Sequence, residues 1–322
     1  MFQRLFDWNN LQKAVTFFFD IDRSAFKAYP RTKSSYVNNF LSFFSNVKVD
    51  LLILTDLNEK RFIESRLTDY QKNNQFLSKI TFHTLDFSLL PLYQEIARVE
   101  RVLLSPEMFF YSLRDKIAGN PNIKSFSKIV SLVRSLYFYK GNNIFKKFSI
   151  DQNFSPEYYS SKYLLTVLSK VEVLRIAREL GFFQDQSRFT FIDFGQCGGD
   201  KILINHFSGK TLKDTSIYKE KVLLINRIET PKLVSPWYYA KLIDDALTPS
   251  NFFMIPALKF DEFYNWWHHQ IQDLLSQNLI IDDQVLLSIF QANYPNEVEN
   301  LVLTGKPVCN LHQWIPLDDY LV

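Results

Sequence analysis

Cysteine is almost missing from this sequence: Cys197 and Cys309 are the only two in 322 residues. That excludes a disulfide framework as the source of the fold's stability and points to a reducing compartment. Long apolar runs are missing as well. No stretch approaches the roughly 18 uncharged apolar residues of a membrane-spanning helix. The opening "MFQRLFDWNNLQKAV" scatters charge where a signal peptide needs an apolar core. A soluble, cytoplasmic protein is expected. Charge of one sign is scarce too, since a formal net charge of +3 is too small to argue for a nucleic-acid partner. There is no internal repeat and no low-complexity linker, so one large domain or two closely packed ones are expected.

Apolar and aromatic residues are what the chain does have. They make up 47% and 16% of it, with 31 Phe and 16 Tyr, which is the composition of a folded protein and the opposite of a disordered one. Charge is also unevenly placed. Between Arg114 and Lys147, eight Lys and Arg stand against the single acid Asp115, interleaved with Phe126, Leu132, Leu136, Tyr137, Phe138 and Phe145. This pattern suits a solvated helix face with its apolar side in the core. It also suits peripheral contact with an anionic membrane or a lipid phosphate.

The order of elements predicts an α/β fold. "KAVTFFFDI" (13–21), "VDLLILTD" (49–56) and "KITFHTL" (79–85) are short apolar runs, and the segments between them carry apolar residues at helical spacing. Near-continuous apolar strands alternating with helices are what a parallel sheet covered on both faces requires. The first third is therefore Rossmann-like. After a Phe/Tyr-rich middle, residues 155–181 read as one helix, with Ser155 as N-cap and Gly181 past its end. Strands follow at 189–193, 221–226 and 251–255, and helices at 259–277 and 282–295. The division expected is 1–113 as a nucleotide-binding half, 114–155 as a basic aromatic helical insertion and 156–322 as the second half of one continuous domain.

Three aspartates, Asp20, Asp56 and Asp193, each follow a predicted strand. In an open parallel sheet the carboxyl ends of the strands line the ligand crevice, so these carboxylates are candidates to converge there, although Asp also ends strands as a turn former. "FFFDIDRS" mimics the nucleophile loop of haloacid-dehalogenase-like phosphatases, with Thr55 on the second strand. That pattern stops after its second motif. Asp282 and Asp283 open a helix, where N-cap and first-turn acids are favoured. Trp266, Trp267, His268 and His269 resemble a metal or sugar box, but helical spacing with Phe263 and Ile271 favours a place in the core.

"VTFFFDIDR", "LLILTD", "YLLTVLSKVEVLRIARELG" leading into "FTFIDFG", "NFFMI" and "DDQVLLSIFQANYPN", in that order and spacing, resemble the HtrL/YibB and WlaTC family of bacterial glycosyltransferases over roughly residues 14–300. Two departures stand out: a Gly-rich stretch usual near "SNFFMIPA" is absent, and 114–148 reads as an insertion. The resemblance implies a GT-A-like mixed, mostly parallel sheet flanked by helices. It also implies transfer of a sugar from a nucleotide-sugar donor, a UDP-sugar first among them, to a hydroxyl of a surface glycan or glycolipid of the lipopolysaccharide, lipooligosaccharide or capsule type. Phe19, Asp20, Arg23, Thr55, Asp56 and Lys170 would then hold the donor, and Asp193 with His312 would hold a divalent Mn or Mg ion against the diphosphate. Asp282 or Asp283 would take the proton of the acceptor hydroxyl. The enzyme would work in the cytoplasm, with peripheral contact at the inner membrane. A non-catalytic glycan- or lipid-binding protein on the same fold is the alternative, and the phosphatase is a weaker one.

Overall fold

The computed structural model describes residues 12–26, 31–108, 159–195, 209, 220–226 and 250–302. Elements are numbered along these residues. Strand β1 (Lys13–Phe18), helix α1 (Lys33–Phe44), β2 (Asp50–Thr55), α2 (Leu57–Gln71), β3 (Lys79–Thr84) and α3 (Ile96–Leu103) form the first part. Then come α4 (Ser161–Leu168), α5 (Lys170–Glu179), β4 (Arg188–Ile192), β5 (Val222–Asn226), β6 (Phe252–Pro256), α6 (Phe260–Ser276), α7 (Asp283–Asn293) and β7 (Val298–Val302).

All seven strands join one sheet in the order β3-β2-β1-β4-β6-β5-β7. Pairing is parallel throughout except at β6, which runs antiparallel to both of its neighbours. The expected GT-A-like, mostly parallel sheet is therefore the one observed. The single reversal matters for the site: β6 enters the sheet at the edge where β1 and β4 leave it, bringing Ser250 and Asn251 to the carboxyl end of β4, where the Asp193 amide donates to the Asn251 carbonyl at 2.7 Å.

Strand composition explains the two-sided core. Because strand side chains alternate, Val15 and Phe17 of β1 with Leu52 and Leu54 of β2 enter one cluster, together with apolar residues of α3 to α7. Ala14, Phe18, Leu51 and Ile53 enter a second cluster, packed by α1 and α2. Both faces are covered, so β2 is buried along its whole length and can be apolar without alternation.

Two sequence expectations change. The long helix expected over 155–181 is two helices, broken at Ser169, whose hydroxyl donates back to the Leu165 carbonyl at 2.6 Å and competes with the continuing helix ladder. Ser160, not Ser155, caps α4 by accepting from the Tyr163 amide; Ser155 lies outside the described residues, as do 114–155. Gly181 does follow the last helical turn, with the left-handed φ of 73° that favours glycine there. Strand β7 was not foreseen.

The Trp/His group on α6 is structural. Trp267 is completely buried and its indole N–H donates to the Leu168 carbonyl at 3.0 Å, fastening α6 to the end of α4. Trp266 packs on Phe290 and Tyr294. His268 meets the fully buried Glu172 at 2.5 Å, and the Tyr264 hydroxyl donates to the same carboxylate; burial first, then that negative charge, push the phenol up to about 12. Replacing Trp267 with Ala should therefore lower unfolding free energy by about 3 to 5 kcal/mol, read as a fall in denaturant midpoint.

Candidate functional site at the carboxyl ends of β1 and β4

One cleft opens at the carboxyl ends of β1 and β4. Phe19, Asp20 and Arg23 after β1, Arg31, Lys33 and Tyr36 around the start of α1, Tyr163 and Thr166 on α4, and Lys170, Asp193, Ser250 and Asp283 line it. Six residues singled out in the sequence, Phe19, Asp20, Arg23, Lys170, Asp193 and Asp283, thus share one cavity.

Lys170 is the centre of its floor. It begins α5, is only 4% exposed, and its ammonium lies 2.5 Å from Asp283 Oδ2 and 3.9 Å from Asp193 Oδ2. It also donates to the Ser250 carbonyl and to Ser250 Oγ, each at 3.0 Å, and stands 5.3 Å from the centroid of the Phe191 ring. A buried ammonium is costly unless its charge is paired and its protons are hydrogen-bonded. Here Asp283, itself 2% exposed, supplies the charge and the β6 entry loop supplies the acceptors.

Asp193 is both a turn residue and a wall of the cleft. Its Oδ1 accepts the Gly195 amide at 2.7 Å, an Asx-type turn that stops β4, while Oδ2 points toward Lys170. Gly195 is needed for a steric reason. A Cβ there would lie 2.9 Å from Tyr36 Cε1, so the glycine makes room for an aromatic ring. Behind the turn Phe194 stacks on Phe40 and Phe18, with centroids 4.3 and 4.7 Å apart, which fixes the strand end against α1.

The opposite wall is cationic. Arg23 hydrogen-bonds the Tyr36 hydroxyl and lies 5.4 Å from that ring and 5.2 Å from the Tyr163 ring. Arg31 lies 5.3 Å from the Tyr36 ring, and Lys33 pairs with Glu59 at 2.5 Å. Burial pushes the Glu59 carboxyl up, against the pull of Lys33. Asp20 Oδ1 accepts the amide of Asp22, a residue held in the left-handed region at φ 57°.

Other expected site residues have other work. Thr55 is fully buried and its hydroxyl donates to the Phe18 carbonyl at 2.5 Å, tying β2 to β1. Asp56 caps α2, accepting from the Asn58 and Glu59 amides at 2.8 and 2.9 Å. Neither lines the cleft. Asp282 caps α7 through the Val285 amide at 3.0 Å, while its neighbour Asp283 turns inward to Lys170. Asp193 and Lys170, expected on the donor side, and Asp283, expected on the acceptor side, lie in a single cluster. His312 lies outside the described residues.

Among the described residues, the side chains around Asp193 do not fit a divalent ion on it; His312, the other ligand expected, lies outside them. Among the described residues no three His, Cys, Asp or Glu side chains come together to hold a metal. Asp193 has one oxygen in its turn, and the other faces an ammonium that would repel a cation. Tyr36, Arg31, Lys33 and Ser250 were not foreseen. The basic residues at the start of α1 were the one available signal, because cations are disfavoured at a helix N-terminus.

The sheet defines an α/β protein with a mixed, mostly parallel sheet flanked by helices. More narrowly, the chain belongs to the family described as "Bacterial protein of unknown function (HtrL_YibB)", whose model matches residues 122–306. No curated protein matches it. Among solved structures, mouse xyloside xylosyltransferase 1 in its apo form is similar at 11% identity and a TM-score of 0.40, over 91% of this chain and 84% of that one.

The fit of Tyr36 against Gly195 yields a prediction. Gly195→Ala should cost about 1 to 3 kcal/mol by overpacking, and much less in a Tyr36→Ala background where the ring is gone. Equal losses in the two backgrounds, measured by chemical denaturation, would show that the ring is not what demands the glycine.

Proposed function

We propose that this protein is a glycosyltransferase that moves a sugar from a nucleotide donor, a UDP-sugar foremost, to a hydroxyl of a bacterial surface glycan or glycolipid. One observation carries the reading: Lys170, Asp193 and Asp283 meet in a single cleft at the carboxyl edge of a mostly parallel sheet, opposite a cationic wall. Ligand crevices of open α/β sheets lie at that edge. The glycosyltransferase activity that the sequence resemblance implies agrees with this reading, while the description of the matched family assigns it no function.

The residues divide the work by position. Phe19, Asp20 and Arg23, which line the cleft, would border the donor, whereas Thr55 and Asp56 support the sheet behind it. Lys170, paired with Asp283, would stand beside the leaving group as part of a preorganised set of charges that needs no reorganisation during reaction. Asp283, rather than Asp282, faces the reacting centre and is placed to receive the acceptor proton. The phosphatase alternative loses its second-strand hydroxyl, because Thr55 is turned inward to Phe18. A non-catalytic glycan binder would leave the Lys170–Asp283 pair with no chemical role.

The basic segment 114–148, outside the described residues, is assigned to peripheral contact with anionic lipid or a lipid-linked acceptor. No helix among the described residues is long and apolar enough to cross a membrane.

A thermal-shift screen of nucleotide sugars tests the reading, because a ligand of the native state raises its apparent stability. One donor should raise the melting temperature of the wild type. Asp283→Asn should keep donor affinity in the folded protein while transfer slows by about 10² to 10⁴. Asp282→Ala should lose about 1 kcal/mol of stability and transfer sugar at the normal rate. Normal transfer by Asp283→Asn, or no response to any nucleotide sugar, would overturn the proposal.

A further inference from the structure

The cleft wall carries four cations, Arg23, Arg31, Lys33 and Lys170, against the carboxylates of Asp20, Asp193 and Asp283. Lys170 is committed to Asp283 and Ser250. Arg23 and Arg31 gather at the ring of Tyr36, their guanidiniums 5.4 and 5.3 Å from its centroid, and Lys33 begins α1 beside them, paired with Glu59 and 4.7 Å from the Phe62 ring centroid. Both guanidiniums donate to the Tyr36 hydroxyl, Arg31 at 3.4 Å.

This corner breaks a local rule. The N-terminal end of a helix is the positive end of its dipole and favours acids. Yet the first turn of α1, a helix of 12 residues capped by Thr32, contains no acidic residue and begins with Lys33. Two guanidiniums and an ammonium brought to that end repel one another and the dipole. The acid that pairs with Lys33 is Glu59, whose carboxyl burial pushes up against the pull of Lys33. Sequences break local rules of this kind at functional sites. A second observation points the same way: Arg23 lines the cleft, and its Nε has no hydrogen-bond partner among the described residues.

The chemistry that resolves all of these features is a phosphate. Its oxygens match the planar donor fork of arginine and the amides of a helix start, and its charge answers the clustered cations. Asp193, by contrast, has an amide on one oxygen and an ammonium facing the other. We propose that the diphosphate of the donor is held by Arg23, Arg31 and Lys33 at the start of α1, side chains that supply the neutralisation the sequence assigned to a divalent cation on Asp193. This inference rests on the nucleotide-sugar reading above and adds the place and means of phosphate recognition.

Isothermal titration of the full chain with UDP, ADP, GDP, CDP and dTDP, each in EDTA and in Mn²⁺, tests it. At least one nucleoside diphosphate should bind in EDTA, with an affinity that Mn²⁺ changes by less than about twofold. Arg31→Gln with Lys33→Gln should weaken that binding by at least about tenfold, since charge-assisted hydrogen bonds are each worth more than the 1.4 kcal/mol of a tenfold change. Inorganic pyrophosphate should compete with the nucleotide. Arg23→Gln serves as an independent variant if the double one melts early. Binding that appears only with Mn²⁺, or that is unchanged in these variants, overturns the inference and leaves the donor reading standing. Failure of every nucleoside diphosphate in both conditions defeats the donor reading and the inference together.

Discussion

The ion pair between Lys170 and Asp283 is the contact on which the site depends. Four pieces of the fold meet there: the start of α5, the start of α7, the end of β4 and the loop entering β6. Lys170 and Asp283 are 4% and 2% exposed, so neither has water to fall back on. Burying two charges brings a desolvation penalty of several kcal/mol per ion, which attraction and hydrogen bonds only partly repay. An apolar pair of similar volume would often be as stable. Retaining both charges agrees with the role in recognition or chemistry proposed for this site.

The sheet topology makes this convergence possible. Parallel strands β1 and β4 deliver Asp20 and Asp193 to the same edge, and the reversed β6 adds Ser250 from the other chain direction. Aromatic packing then sets the turn after β4, with Phe194 between Phe18 and Phe40 and the Tyr36 ring over Gly195. Tyr36 therefore belongs to both walls of the cleft. One edge of its ring closes on the Asp193 turn, and its hydroxyl and face gather Arg23 and Arg31.

The sheet was largely readable in the sequence because β1, β2 and β4 are short apolar runs, which only a doubly covered strand requires. Strand β7, "VENLV", was not readable, since polar Glu299 and Asn300 interrupt any such run. Asp193 and Asp283 were singled out by their chemistry and their place at element ends, and Lys170 by the family resemblance. Their grouping was hidden, because contacts across roughly a hundred residues of chain leave no local mark. Asp56 shows the converse: an acid between a strand and a helix looks the same whether it faces a ligand or caps the helix, and here it caps. Ser250 contributes a backbone carbonyl, to which side-chain patterns are blind.

A double-mutant cycle on Lys170 and Asp283, read by equilibrium unfolding, tests most directly whether the buried pair organises the site. Lys170→Met and Asp283→Leu should each cost about 3 to 5 kcal/mol, because each strands the other's charge. The two together should cost far less than the sum of the single losses. Additive losses within about 0.5 kcal/mol, the behaviour of independent sites, would contradict the account.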